Sequence, residues 1–163
     1  MTSSINKDPR LTFFTLALLE DSGWYKANYD RSDSLTFGRN EGCAFIFQTC
    51  IDKETKKARF PEFCSGRNEN LCTLDQSFCG LCIFDERRSL PREFKYFDDN
   101  SAGFDPYADG CPTAFPYPNA DCTDPNSQAA GQPGPGSHCF TWTSNVTKKQ
   151  FPACFKYEVR IYT

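Results

Sequence analysis

The sequence predicts an α+β fold that is mostly irregular and disulfide-rich, with one N-terminal buried helix and few short strands. Three observations support this prediction. The 163 residues contain ten cysteines, the turn-forming residues Gly and Pro recur along the chain, and one nine-residue apolar run extends from Leu11 to Leu19. Sixteen Phe and seven Tyr stand against two Val and one Met. Aliphatic side chains are therefore scarce, and disulfides are expected to supply stability that a small aromatic core lacks.

Charge and cysteine content restrict the class of protein. The formal net charge is −3. Proteins that bind a phosphate backbone are usually basic, so no nucleic-acid partner is expected. Ten thiols would be a liability in a reducing compartment, whereas in an oxidising one they cross-link loops. The expected location is extracellular, at the cell surface or in the endomembrane lumen.

The apolar run is interpreted as a helix over residues 9–22. Asp8 is a suitable N-cap, Pro9 suits the first helical position, and Gly23 is a typical helix stop. Nine apolar residues are too few to cross about 30 Å of hydrocarbon. A signal peptide is the alternative interpretation, but Glu20 and Asp21 stand where a small-residue cleavage site belongs.

The predicted helix is apolar around its whole circumference. A helix of this kind is normally covered on several sides. The turn-rich sequence that follows can cover only part of it. We therefore expect the remaining cover to come from an upstream segment, and the apolar side chains to be unusually exposed in this chain alone.

The rest of the chain contains three strand candidates and one loop. The strand candidates are Cys43–Gln48, Ser77–Phe84 and Phe155–Tyr162. Residues 123–138 are rich in Pro, Gly and Ser, which predicts a flexible exposed loop. Asn145-Val146-Thr147 is an N-glycosylation sequon, so Asn145 is a candidate acceptor.

The cysteines could form a redox pair, a zinc site or structural disulfides. Cys79 and Cys82 form a C-x-x-C, but no βαβ pattern surrounds them, so structural disulfides are favoured over a redox pair. A zinc site from Cys64, Cys72, Cys79 and Cys82 is disfavoured, because only one pair has knuckle spacing.

Other candidate sites have equally plain interpretations. The single histidine, His138, falls in the predicted loop and is interpreted as a solvated residue. The acidic stretches 98–99 and 105–124 lack the ligand spacing of an EF-hand, so a solvated surface is favoured over a calcium site. These 163 residues contain no complete catalytic constellation.

Five blocks of sequence resemble the leishmanolysin family of surface zinc metalloendopeptidases. The order and spacing of the blocks, together with the spacing of the cysteines, extend the resemblance from Met1 to about Glu158. The blocks are L-T-F-F-T-L-A-L-L-E-D-S-G-W-Y-K-A-N-Y (Leu11–Tyr29), G-R-N-E-G-C-A-F (Gly38–Phe45), L-P-x-x-x-x-Y-F (Leu90–Phe97), C-P-x-x-x-P-Y (Cys111–Tyr117) and C-x-K-Y-E (Cys154–Glu158).

The resemblance gives the first residues a role. It implies that Met1 is the Met-turn beneath a catalytic zinc, with Thr2, Ser3 and Ser4 at the floor of the substrate pocket. Metzincins bind zinc through H-E-x-x-H and a later histidine, with the glutamate as general base. The resemblance places these residues upstream of Met1, so no catalytic and no metal-ligating residue is assigned in this stretch.

The resemblance also implies a disulfide pattern. It pairs Cys50 with Cys111, Cys64 with Cys82, Cys72 with Cys139, and Cys122 with Cys154. It pairs Cys43 with a cysteine upstream, while Cys79 is extra and is expected to stay unpaired or to capture Cys43. The family commonly has a further cysteine where this chain has Val159.

The resemblance implies two domains and an enzymatic function. Residues 1–42 would be a remnant of the metzincin catalytic domain, and residues 43–163 a cysteine-rich C-terminal domain. The function implied is that of a fragment of a zinc metalloendopeptidase that hydrolyses peptide bonds in proteins. The zinc, the peptide substrates and any membrane association belong to the parent protein. The alternative is a non-enzymatic, cysteine-rich adhesion or ligand-binding module.

The histidine content generates a prediction about metal binding. The chain contains one histidine and no H-E-x-x-H, so the purified chain alone should neither retain zinc nor cleave peptides. Metal analysis after dialysis against a mild chelator measures this directly. Near-stoichiometric zinc that survives the dialysis would contradict the prediction.

Overall fold

The computed structural model describes residues 10–33, 35–86, 90–147 and 149–156. Two helices precede seven short strands, and two single 3₁₀ turns lie at Tyr29–Arg31 and Arg92–Phe94. This arrangement agrees with the predicted α+β, disulfide-rich and mostly irregular fold. The helices are α1 (Phe13–Asp21) and α2 (Ala44–Phe47); the strands are β1 (Asn70–Cys72), β2 (Phe78–Cys82), β3 (Phe84–Glu86), β4 (Ser101–Gly103), β5 (Ala114–Asp121), β6 (Ser137–Thr143) and β7 (Gln150–Lys156).

Helix α1 begins later than predicted. Its N-cap is Thr12, whose hydroxyl oxygen accepts a hydrogen bond from the Thr15 amide at 3.4 Å. The amide and carbonyl of Leu11 are both engaged by Asp33, each at 2.8 Å, which holds the preceding backbone extended. Residues 10–12 are therefore outside the helix, and the proposed start at Asp8 and Pro9 lies outside the described residues. The predicted stop is correct, since Gly23 has φ +74°.

The apolar side chains of α1 are largely exposed. Phe14 is 70% exposed, and Phe13, Leu18 and Leu19 are exposed too. The prediction of a buried helix is therefore wrong for the described residues, since Leu16 is the one buried side chain of α1. The expectation that the helix exposes apolar side chains in this chain alone is confirmed.

The segment Cys43–Gln48, predicted as a strand, contains helix α2 instead. The Gln48 amide donates to the Ala44 carbonyl at 2.9 Å, and Phe47 donates to Cys43 at 3.2 Å. The Phe45 ring packs at 4.9 Å from each of the Phe37 and Phe60 rings. A short apolar run has no decisive period, so these tertiary contacts select the helical turn.

Strands β1, β2 and β5 form an antiparallel sheet with β2 in the centre. The predicted strand Ser77–Phe84 corresponds to β2 and the start of β3. Cys72 of β1 lies directly opposite Cys79 of β2 in the register. At Gly80 an added Cβ would stand 2.5 Å from the Phe115 carbonyl oxygen, so glycine permits the close approach of β2 and β5.

Strands β6 and β7 have seven residues each and pair antiparallel to form a hairpin. Of the strand predicted over Phe155–Tyr162, the structure describes only residues 155 and 156, which are the last two of β7. Backbone hydrogen bonds hold the predicted flexible loop 123–138 against neighbouring segments. Gly134 donates to Cys122, Gln132 donates to Cys154, and Cys154 donates to Ala130, at 2.7–2.8 Å.

The core is divided into three small clusters rather than one. The first contains Cys79, Ala120, Cys122, Cys139 and Cys154; the second Cys64, Leu71, Cys82 and Ala114; the third Cys50, Ile51 and Tyr96. Cysteine occurs in each cluster. In the part of the chain that the structure describes, neither helix is long and apolar enough to cross a membrane.

Two isoleucines provide a matched test of this division of the core. Ile51 is 0% exposed, whereas Ile46 of α2 is 77% exposed. We expect Ile51→Ala to lower the free energy of unfolding by about 2–5 kcal/mol through a cavity in the third cluster. Ile46→Ala should change it by less than about 0.5 kcal/mol. Urea unfolding with the disulfides intact compares the two, and equal effects would show that the clusters are wrongly assigned.

Candidate functional site

Some of the residues singled out from the sequence lie outside the described part of the chain. These are the proposed Met-turn Met1, the proposed pocket floor Thr2, Ser3 and Ser4, and Val159. The structure therefore describes the cysteines, His138, the acidic stretches and the sequon.

Four disulfides cross-link the chain. The pairs are Cys50–Cys111, Cys64–Cys82, Cys72–Cys139 and Cys122–Cys154, with Cα–Cα distances of 5.2–6.0 Å. They are the four pairs that the family resemblance implies. Three of them link residues 32 to 67 positions apart, so they remove much of the freedom of the unfolded chain.

Three of the disulfides connect elements that are far apart in the sequence. Cys72–Cys139 joins the sheet at β1 to the hairpin at β6, and Cys122–Cys154 joins the end of β5 to β7. Cys50–Cys111 joins the segment after α2 to the segment before β5. Each disulfide lies within one core cluster or ties it to a cysteine packed against it, so the bridges stabilise the clusters individually.

Two cysteines among the described residues are free, and they differ in environment. Cys43 is exposed, and Cys79 is buried. Burial raises the pKa of the Cys79 thiol and so favours its protonated form. The resemblance left Cys79 either unpaired or bonded to Cys43, and the structure has the first arrangement.

The described cysteines do not fit a zinc site. Cys64, Cys72 and Cys82 are all bridged, which removes them from the Cys₄ site considered above. The sulfurs of Cys79, Cys122 and Cys154 lie within 4.8 Å of one another, but Cys122 and Cys154 are bonded to each other. A disulfide offers no thiolate, and zinc requires thiolate sulfur.

His138 lies in strand β6, not in a loop as predicted. It is half-buried and pairs across the hairpin with Phe155. Its Nδ1 atom lies 3.4 Å from Nη2 of Arg10. A guanidinium cation at this distance disfavours a metal cation on the ring. The described residues of this chain therefore do not assemble the zinc site that the resemblance implies for the parent protein.

The C-x-x-C motif does not form a redox pair. Cys79 and Cys82 both lie on β2, with no helix N-terminus to stabilise a thiolate, and Cys82 is bonded to Cys64. The structural interpretation of this motif agrees with the geometry.

The carboxylates of the acidic stretches accept hydrogen bonds in turns and form ion pairs. Asp105 accepts from the Tyr107 amide, Asp121 from Thr123, and Asp124 from Asn126. Asp98 pairs with Lys56 at 2.9 Å. Hydrogen bonds from Ser101 hold the pKa of Asp99 below its usual range. Each of these carboxylates has its own local partner, and among the described residues they form no cluster that could hold a metal ion.

The structure contains a large aromatic groove that no local sequence pattern indicates. Its volume is about 1180 Å³, and segments far apart in the sequence line it. The high phenylalanine count was the one available signal, but only the fold brings these rings to one surface. Six of the lining residues are Phe37, Phe45, Phe63, Tyr96, Phe104 and Phe115.

Comparison with known proteins identifies similar sequences. The leishmanolysin family matches residues 1–152. The leishmanolysin of Leishmania tropica is 34% identical over 122 residues, which is 73% of this chain and 18% of the relative. The leishmanolysin of Leishmania chagasi is 32% identical over 130 residues, 78% of this chain and 21% of the relative. A leishmanolysin-like peptidase of Drosophila melanogaster is 35% identical over 107 residues, 60% of this chain and 16% of the relative.

The share of each relative that is covered is small. The chain spans about a fifth of the length of these curated relatives.

The disulfide framework generates a prediction for the purified protein. Proteolysis without reduction should release the Cys64–Cys82 and Cys50–Cys111 peptides as linked pairs, identified by mass. Reduction should unfold the chain, because each bridge contributes about 2–4 kcal/mol. Eight or more alkylatable thiols in the native protein would contradict both the pairing and the proposed compartment.

Proposed function

Because this chain belongs to the leishmanolysin family, we propose that it is part of a zinc metalloendopeptidase that hydrolyses peptide bonds in proteins. The family match over residues 1–152 supports this proposal. Two of the relatives quoted above are named leishmanolysin and one a leishmanolysin-like peptidase. The substrates of the parent protein are then proteins or peptides.

Zinc chemistry belongs to other residues of the parent protein in this proposal. Zinc would supply a Lewis acid and an activated water there. The described cysteines and His138 do not fit such a site, and the sequence contains no H-E-x-x-H. The chain alone is therefore proposed to bind no zinc and to be catalytically incompetent.

The positions of the disulfides support two domains within the chain. All four disulfides lie between residues 50 and 154, which supports a cysteine-rich domain over residues 43–163. Residues 1–42 contain no disulfide in the described part and carry α1. They are proposed to be the remnant of the catalytic domain, with Met1 as its Met-turn and Thr2, Ser3 and Ser4 at the pocket floor.

The exposed apolar surface of α1 is the observation that carries this division. Phe13, Phe14, Leu18 and Leu19 project from one short helix, and Trp24 is exposed just after it. Covering a side chain of this size contributes about 1.5–3 kcal/mol. We propose that the catalytic half of the parent protein supplies the cover, as well as the cysteine that pairs with the exposed Cys43.

The same surface distinguishes the two functional classes. A free-standing adhesion or ligand-binding module should cover its own helix, and the described residues cover only Leu16. The exposure of α1 therefore favours the peptidase over the module.

An extracellular, cell-surface or luminal location is proposed on the basis of the disulfides. Asn145 supports it, since this residue is exposed in the turn between β6 and β7 and is open to a glycosyltransferase. Membrane association is proposed only for the parent protein.

The transcript upstream of the Met1 codon tests the peptidase proposal first. An H-E-x-x-H within roughly a hundred residues before Met1 is the expected result. A start codon preceded by untranslated sequence would overturn the proposal and favour the module.

Substitutions on α1 then test the interface. In this chain alone, Leu18→Asp should lower the free energy of unfolding by only about 1 kcal/mol, because Leu18 is already exposed and the cost is that of Asp in the last helical turn. In the parent protein the same change should cost more than about 2 kcal/mol and lower the yield of active peptidase, because it buries a charge.

Val146→Asp is the matched control, since Val146 is 91% exposed in the β6–β7 turn. It should be neutral in both proteins. Urea unfolding and cleavage of a quenched fluorescent peptide provide the measurements. An equal cost of Leu18→Asp in both proteins would show that α1 is not an interface.

A further inference from the structure

A free thiol lies against a disulfide in the first core cluster. The Cys79 Sγ atom is 3.6 Å from the Cys139 Sγ atom, which is bonded to Cys72. This distance is van der Waals contact between sulfurs. Cys72 itself lies directly across from Cys79 in the β1–β2 register. The three sulfurs of a thiol–disulfide exchange are thus already assembled.

The cluster contains a second disulfide as well. The sulfurs of Cys122 and Cys154 lie within 4.8 Å of the Cys79 sulfur. The sulfurs of two disulfides therefore lie close to the Cys79 sulfur. Of these five sulfurs, only that of Cys79 has no covalent partner. The contact at 3.6 Å selects Cys139 as the sulfur that Cys79 reaches first.

We propose that Cys79 is an internal nucleophile that exchanges with the Cys72–Cys139 disulfide. The Cys79 thiol loses its proton to water, and its sulfur attacks Cys139 Sγ. A Cys79–Cys139 bond forms as the Cys72–Cys139 bond breaks, and Cys72 departs as a thiolate that takes up a proton. One disulfide and one thiol are present before and after, so the step needs no oxidant or reductant.

The surroundings of Cys72 suit it as the leaving group. The Thr141 hydroxyl of β6 donates a hydrogen bond to Cys72 Sγ at 3.6 Å. A donor to the departing sulfur stabilises the thiolate, and a more stable thiolate leaves faster. Cys72 is half-buried on β1, an edge strand of the sheet, so solvent can protonate it there.

The exchanged form fits the same fold. Cys72 and Cys79 are cross-strand neighbours, so either one ties the same sheet to the same hairpin. The two bridges span 67 and 60 residues, so they constrain the unfolded chain almost equally. Exchange therefore moves a thiol from the buried centre of the sheet to its half-buried edge without opening the cross-link.

Burial keeps this exchange slow in the folded protein. It raises the pKa of the Cys79 thiol, and only the thiolate attacks. The chain thus contains a latent disulfide switch whose second state presents Cys72, not Cys79, to a reagent or another thiol protein.

Replacing the leaving group, Cys72, tests whether the Cys79 sulfur can bond to Cys139. The oxidised 163-residue chain carrying Cys72→Ser should form a Cys79–Cys139 bond, which peptide mapping after alkylation detects as a linked pair. The double variant Cys72→Ser/Cys79→Ser should leave Cys139 alkylated. Free Cys79 and free Cys139 in the folded Cys72→Ser chain would overturn the proposal.

Native-state alkylation tests the exchange in a chain that retains all four bridges. In a Cys43→Ser background, which lacks the exposed thiol, N-ethylmaleimide should slowly label Cys72 and trap the Cys79–Cys139 link. Cys79→Ser should abolish this labelling. Label on Cys79 with the Cys72–Cys139 bond intact would overturn the proposal even if the Cys72→Ser variant fails to fold.

Two threonines of β6 provide a matched control for the leaving group. Thr141→Val removes the donor to Cys72 and should slow the labelling of Cys72 several-fold. Thr143→Val makes the same chemical change two residues further along the strand and should leave the rate unchanged. Equal rates in both variants would show that Thr141 does not assist the departure of Cys72.

Discussion

Covalent bonds between sulfurs are the constraint on which the other contacts in this chain depend. Seven of the sixteen buried apolar residues that the structure describes are cysteines, so the core is cross-linked where most domains have aliphatic packing. Sulfur occurs in each of the three clusters. The fold is therefore tied to an oxidising environment, because reduction would remove both the cross-links and the closest packing at once.

The small sheets gain stability from these bonds. The strands form one sheet of three and two sheets of two, and isolated sheets of this size are marginal in water. Cys72–Cys139 and Cys122–Cys154 join the largest sheet to the β6–β7 hairpin. The position of Cys79 between these bridges follows from the same crowding of sulfur, and it makes one bridge exchangeable.

Aromatic residues are distributed in the opposite way, since many of them lie at the surface. Phe13 and Phe14 of α1 are exposed, and so are Phe104 and Phe115 at the groove, although Tyr96 in the same groove is buried. A monomeric protein rarely exposes contiguous area of this kind without a partner. This distribution agrees with membership of a family whose curated relatives are about four times as long as this chain.

The sequence by itself determined the fold class, the helix near the N-terminus and the dependence on disulfides, because composition and an apolar run suffice for these. The resemblance also implied the four cysteine pairs found in the structure. Strand β5 was missed because Pro116 and Pro118 indicate turns, yet an edge strand tolerates proline. Only the tertiary structure decided that Cys43–Gln48 contains a helix instead of a strand, and that Cys79 touches Cys139. Each depends on contacts between residues far apart in the sequence, and local patterns carry no record of those contacts.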